Sequence, residues 1–249
     1  MFSKEDLELK LLRGKPINIG ISTIHPLTLD EINELGYSRY NNYLTLLTID
    51  KSYLENQGVD IDLNEIKNFD IIYENCLHHK DFLKEYFDML ELFFKEPVSI
   101  GNGFFYFGDI DEIVSGKSKR VVYRDNFDEI IELIKRMNCI SSMDTDLNPA
   151  NAKAKEILEK RQKAREVLAK VKNADGDSEP LTLSDLVSIL CANGNNINLS
   201  NVWDLTIYQF NNQFNRMKML EDFNINIRSL LAGADPQKVE LKHWMSRIK

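Results

Sequence analysis

Large apolar side chains recur at three- and four-residue spacing along most of this chain, and alternation is confined to short stretches. That pattern predicts a mainly α protein with a small β-hairpin or sheet element in its N-terminal part, an α+β class, followed by a helical C-terminal region. Ser3, with Asp6 three positions on, opens a short helix. Beyond Gly14-Lys15-Pro16, the alternation Ile17, Ile19, Ile21 predicts one short strand. Thr28-Leu29-Asp30-Glu31 is a capping box, in which a hydroxyl and a carboxylate each satisfy a free backbone N–H, so a helix starts there. Leu29, Ile32 and Leu35 line its face as far as Gly36, and a second helix carries Tyr40, Tyr43, Leu44 and Leu47.

Two more helices, over about 63–78 and 80–95, follow from Leu63, Ile66, Phe69 and Ile72 and from Phe82, Tyr86, Met89, Leu90 and Phe93, with Pro97 as the stop. The aromatic run Phe104–Phe107 and the β-prone run Arg120–Tyr123, separated by the turn-forming Ser115-Gly116-Lys117-Ser118, predict a β-hairpin. Asn126 then caps a helix through Met137.

At Asn148-Pro149, a good N-cap followed by proline opens a helix reaching about Lys172. Its thin stripe of Ala154, Ile157, Ala164, Leu168 and Val171 suits a solvated strut or one half of a two-helix seam. The polar stretch 173–180 marks a boundary. A helix near 182–193 and Gly194-Asn195-Asn196 lead into the longest amphipathic run, with Trp203, Ile207, Phe210, Phe214 and Met217 at steps of four and three. A helix over 199–232 would be roughly 50 Å long at ~1.5 Å per residue, more than a small domain covers alone, so a further partner is expected on it. The resulting organisation is an N-terminal α+β domain over 1–147, a basic connecting helix and polar loop over 148–180, and a helical C-terminal domain over 181–249.

The charge distribution sharpens this division. The 249 residues carry a net charge of -8, resolved as -11 over 1–147, +5 over 148–173 and -2 over 174–249. An acidic chain with one basic block argues against broad wrapping of nucleic acid. No run of about 18–20 apolar residues is present to cross a bilayer, and the acidic start MFSKEDLELK does not read as a secretory leader. Cys76, Cys139 and Cys191 are too far apart for a thiolate metal site or a disulfide framework.

Patterns that could carry chemistry are incomplete. Gly116-Lys117-Ser118 has Asp111 where a phosphate-binding loop needs glycine, and so reads as a hairpin turn. The stretches starting at Asp60, Asp144 and Asp175 imitate a calcium loop but lack its glycine and final glutamate. His78 and His79, adjacent on a helix, point about 100° apart and chelate poorly even with Cys76 nearby. No catalytic residue, metal site or cofactor is expected.

Three stretches resemble the tail assembly chaperones that attend the tape-measure protein in long-tailed phages and prophages of Gram-positive bacteria. They are PLTLDEINELGYSRYNNYL (Pro26–Leu44), NPANAKAKEILEKRQKAREVLAKVK (Asn148–Lys172), and VWDLTIYQFNNQF (Val202–Phe214) with LLAGADPQKVELKHW (Leu230–Trp244). The resemblance implies a non-enzymatic assembly factor in the cytoplasm of the bacterial host. Such a factor keeps the apolar, helix-forming tape-measure protein soluble until tail-tube protein polymerises around it. The contact residues expected on that reading are Trp203, Ile207, Phe210, Phe214 and Met217; the competing reading of the same stripe is an internal core. A structural tail or neck component, and a nucleic-acid regulator acting through Lys153–Lys172, are the alternatives.

Overall fold

The computed structural model describes residues 2–51, 66–140, 181–193, 196–237, 239 and 241–248. Its elements start and stop where local chemistry dictates. In α1 (Lys4–Arg13), Ser3 Oγ accepts from the Asp6 N–H at 3.1 Å, and Gly14 ends the helix at a φ of 66° that glycine adopts without a Cβ penalty. The capping box before α2 (Leu29–Leu35) forms as expected: Thr28 N–H donates to Glu31 Oε2 at 2.9 Å, and Glu31 N–H donates to Thr28 Oγ1 at 3.2 Å. Then come α3 (Tyr37–Leu47), α4 (Asn68–His78) and α5 (Lys80–Phe94).

The β structure is richer than the alternation suggests. In place of one strand through Ile17, Ile19 and Ile21, β1 (Ile17–Asn18) and β2 (Thr23–Ile24) form an antiparallel ribbon. Asn18 Oδ1 accepts from Gly20 N–H at 2.8 Å and Ile19 N–H donates to Ser22 O at 3.0 Å, so local hydrogen bonds fold the alternating run into a turn. The expected pairing of Phe104–Phe107 with the 120–123 run is present, with Phe105 opposite Val122. It belongs to a three-stranded antiparallel sheet in the order β3 (Val98–Gly101), β4 (Phe104–Phe107), β5 (Val121–Val122). The connection that was expected to be a plain hairpin turn contains α6 (Ile110–Val114), which Asp109 caps by accepting from Asp111 N–H at 2.8 Å. α7 (Phe127–Met137), α8 (Leu183–Asn193), a 3-10 turn at Val202–Asp204 and α9 (Ile207–Leu231) complete the described elements. The fold is thus mainly α with two small antiparallel sheets and a helical C-terminal region.

One continuous core runs through these elements. Tyr86, Met89 and Phe93 of α5 and Ile130 and Ile134 of α7 are buried with Ile24, Leu27 and Leu29, and Phe69 sets its ring 5.4 Å from Phe105 and 5.5 Å from Phe127. Val187, Leu190, Val202, Ile207 and Phe210 belong to the same cluster. The C-terminal region, expected as a domain over 181–249, therefore shares its core with the N-terminal region. Its backbone is tied in too: Leu29 N–H donates to Leu205 O at 2.9 Å and Ile207 N–H to Leu27 O at 3.1 Å, flanking an antiparallel bridge between Thr28 and Thr206. Two capped helix starts thus lie side by side, because Thr206 and Gln209 repeat at α9 the box that Thr28 and Glu31 form at α2. Gln209 Oε1 accepts from Thr206 N–H, and its Nε2 donates to Leu12 O at 2.9 Å, fastening α1 to α9. The basic helix and polar loop expected over 148–180 lie outside the described residues.

A partly exposed helix as candidate partner-binding surface

α9 spans 25 residues, roughly 38 Å at ~1.5 Å per residue. Its only buried residues are Ile207 and Phe210, both near its start. Beyond them the helix is attached to the core by the partly buried Phe214 and Met217, and further out no residue is buried. Leu220, Ile225 and Leu231 are exposed large apolar residues, with Phe223, Ile227 and Leu230 half-exposed. A helix with apolar side chains around its distal half and no protein layer over most of them is an unusual allocation of surface for an isolated chain.

The five expected contact residues separate into three groups. Ile207 and Phe210 are 6% and 1% exposed and are filled in by the chain's own core, so substituting them tests folding before it tests partner binding. Phe214, its ring 6.1 Å from Phe210, and Met217 lie at the edge of the core. Trp203 is 36% exposed and sits in the 3-10 turn before α9, its indole N–H donating to Leu199 O at 2.9 Å. The expected helix from 199 to 232 is shortened at its start, where Thr206 opens α9 in a complete capping box with Gln209. Trp203 therefore does not continue the helical stripe. Sequence spacing carries the stripe on, less strictly, through Leu220, Ile227 and Leu231, but passes over Ile225, whose exposure follows from the same helix running beyond the core.

A concavity of about 550 Å³ lies between α1, the β1–β2 ribbon and α7. Leu7, Ile19, Ile21, Ile130 and Leu133 give it apolar walls, with Lys4 and Glu129 among its polar residues.

Titratable groups near these surfaces are tuned by burial. Burial pushes the Cys76 thiol up to about 12; Cys139, an exposed residue whose thiol is partly desolvated, is raised to about 11 against a hydrogen bond with Asn211. Burial likewise raises the Tyr208 phenol, with the nearby Cys139 adding to the effect. Protonated thiols are poor nucleophiles and poor metal ligands at neutral pH. His78 Nε2 is 3.3 Å from Glu74 Oε2 on an exposed helix face, and His79 is the N-cap residue of α5. Among the described residues, no three His, Cys, Asp or Glu side chains converge on a possible metal position. Among them, too, no helix is long and apolar enough to cross a membrane.

No curated protein and no solved structure matches the chain. A family model described as the YomV second domain matches residues 171–249, the stretch that contains α8, α9 and the C-terminal tail. The part of the chain that carries the exposed helix is therefore similar to a phage-associated domain.

Proposed function

We propose that this protein is a non-enzymatic tail-assembly chaperone that binds the tape-measure protein in the cytoplasm of the bacterial host. The observation that carries the reading is α9: a helix continuing well past the core, with Leu220, Ile225 and Leu231 exposed in a stretch similar to a phage-associated domain. A tape-measure protein presents long apolar helical stripes, and laying one beside another apolar helix removes both from water. At about 25 cal/mol per Å² of apolar area, a few such side chains on each partner supply useful affinity without any catalytic group. The net charge of -8 favours solubility of the combined particle.

Co-expression with the tape-measure protein tests the reading. Tagged wild-type chain is expected to hold that protein in the soluble fraction and co-purify with it. A Leu220→Ser/Ile225→Ser variant should keep its helix content and thermal transition while losing most of the co-purified partner. Equal recovery with both forms would remove the distal helix from the interface, and absence of any complex with wild type would end the chaperone reading. Tail-tube protein is a further proposed partner, tested by the same co-expression.

A further inference from the structure

The distal part of α9 is not wholly bare, and what lies on it has the features of a bound peptide. Arg216 donates from a single nitrogen, Nη1, to two backbone carbonyls of the C-terminal segment, Trp244 O at 2.7 Å and Ser246 O at 2.8 Å. Two turns further along the helix, Phe223 meets the His243 ring at a centroid distance of 5.0 Å, and His243 in turn stacks on Trp244. Arg247 clasps Glu8 of α1 through both carboxylate oxygens, at 2.7 and 3.0 Å. Recognition of main-chain carbonyls by a side-chain donor, together with an aromatic contact, is chemistry by which a surface holds an extended peptide.

The segment nevertheless lies lightly on the helix. None of residues 241–248 is buried, Leu241 and Met245 leave their side chains largely in water, and the segment has no regular secondary structure. Its ion pair is solvent-exposed on both sides, where such a pair contributes at most about 1 kcal/mol. Satisfied carbonyls and one ring contact hold it; a packed core does not.

We propose that the α9 surface between Arg216 and Phe223 is a docking surface that the chain's own segment 241–248 occupies in cis, and from which an apolar partner helix displaces it. The inference rests on the reading of α9 as a partner-binding helix and supplies its regulation. With the segment seated, Phe223 is half-covered and the free chain presents less apolar surface. Removing the segment returns the Arg216 guanidinium and the Phe223 ring to the incoming chain. If the seated form holds about nine-tenths of the population or more, its release tightens partner binding about tenfold or more, about 1.4 kcal/mol per factor of ten.

The test uses the full-length chain with two releasing variants that leave the α9 surface intact, Glu8→Lys and Arg247→Glu, each of which turns the Glu8–Arg247 pair into a like-charge contact. In a Trp203→Phe background, Trp244 is the sole tryptophan, and its emission is expected to shift to the red in both variants. In the native-tryptophan background, a fluorescent, amphipathic synthetic helix of leucine, lysine and glutamate with no net charge is the binding probe. Its Kd is expected to fall several-fold in both variants, about fivefold for each 1 kcal/mol of seating lost, the charge-swapped Glu8→Lys/Arg247→Glu form should return toward wild type, and Phe223→Ser added to either single variant should abolish the gain. A red shift without tighter binding in Glu8→Lys and Arg247→Glu overturns the proposal, as does unchanged Trp244 emission in both. Failure of all forms to capture the tape-measure protein, with the probe results as expected, would refute the functional reading and leave the displaced tail standing.

Discussion

Phe210 decides whether the two ends of the chain stand or fall together. The side chain is 1% exposed and belongs to the cluster that also holds Leu29, Phe93 and Ile134. Truncating a buried phenylalanine to alanine costs about 3–5 kcal/mol, from lost transfer energy and the cavity left behind. Against a total of about 5–15 kcal/mol for a folded protein, Phe210→Ala is expected to be severely destabilising. At about 2–4 °C per kcal/mol for a protein of this size, the midpoint should drop by roughly 6–20 °C. Phe214→Ala, at the edge of the same cluster, should cost about 1–2 kcal/mol.

The informative readout is where the loss is felt. Trp203 and Trp244 both report on the C-terminal region, whereas Cys76, 3% exposed in α4, reports on the N-terminal core. In a Cys139→Ser/Cys191→Ser background, tryptophan emission and Cys76 labelling should trace one urea transition, and Phe210→Ala should move both traces by the same amount. A Phe210→Ala protein whose Cys76 stays protected to the wild-type urea concentration would refute the shared core and restore two independent domains.

Other substitutions probe the joints. Thr206→Ala and Thr28→Ala should each cost about 1 kcal/mol by removing a helix cap, measured by thermal denaturation. Gly14→Ala places a Cβ 2.6 Å from Gln209 Nε2 at a φ of 66°. It should cost about 1–2 kcal/mol from the left-handed backbone alone, and combining it with Gln209→Ala should be less than additive. Burial pushes the Glu31 carboxyl up, but hydrogen bonds from Lys95 and Thr28 outweigh that and hold it below the ordinary value of 4.5. Its folded-state value being the lower one, Glu31 stabilises the protein above pH 4.5, and that contribution is lost as the pH falls through the folded-state value. Glu31→Gln should therefore flatten the acid limb of a plot of urea midpoint against pH. Cys76 has the opposite sign: its thiol, raised from 9.0 to about 12, leaves stability untouched below pH 9 and withdraws it as the pH rises toward 12. Cys76→Ala should reduce the alkaline slope of the same plot.

Helices whose start carries its own chemistry were legible. Ser3 before α1 and the Thr28–Glu31 box before α2 could be placed from the side chains alone, because the cap and the orphan N–H groups are neighbours in sequence. The β1–β2 ribbon was not, since three isoleucines at alternate positions look like a strand whether or not Asn18 bends the chain between them. β3 escaped notice because Val98-Ser99-Ile100 is too short a run to signal by itself and is made a strand by Phe105 and Phe107 across the pairing. At the candidate site the spacing of the stripe was right from Ile207 onward, but spacing is blind to what covers a stripe. Whether Phe210 faces a partner or its own core depends on α8 just before it and on α1 and α7, which lie far away along the chain.

The stitch between Thr28 and Thr206 has a consequence for synthesis. Leu27 and Leu29 leave the ribosome early, yet the groups that satisfy their backbone arrive only when Leu205 and Ile207 follow, nearly 180 residues later. Until then a nascent chain holds an apolar flank with no cover, and slow closure of so long a loop is inherent to the topology. Any product cut short before α8 would be born with that flank permanently open, a natural substrate for cellular quality control.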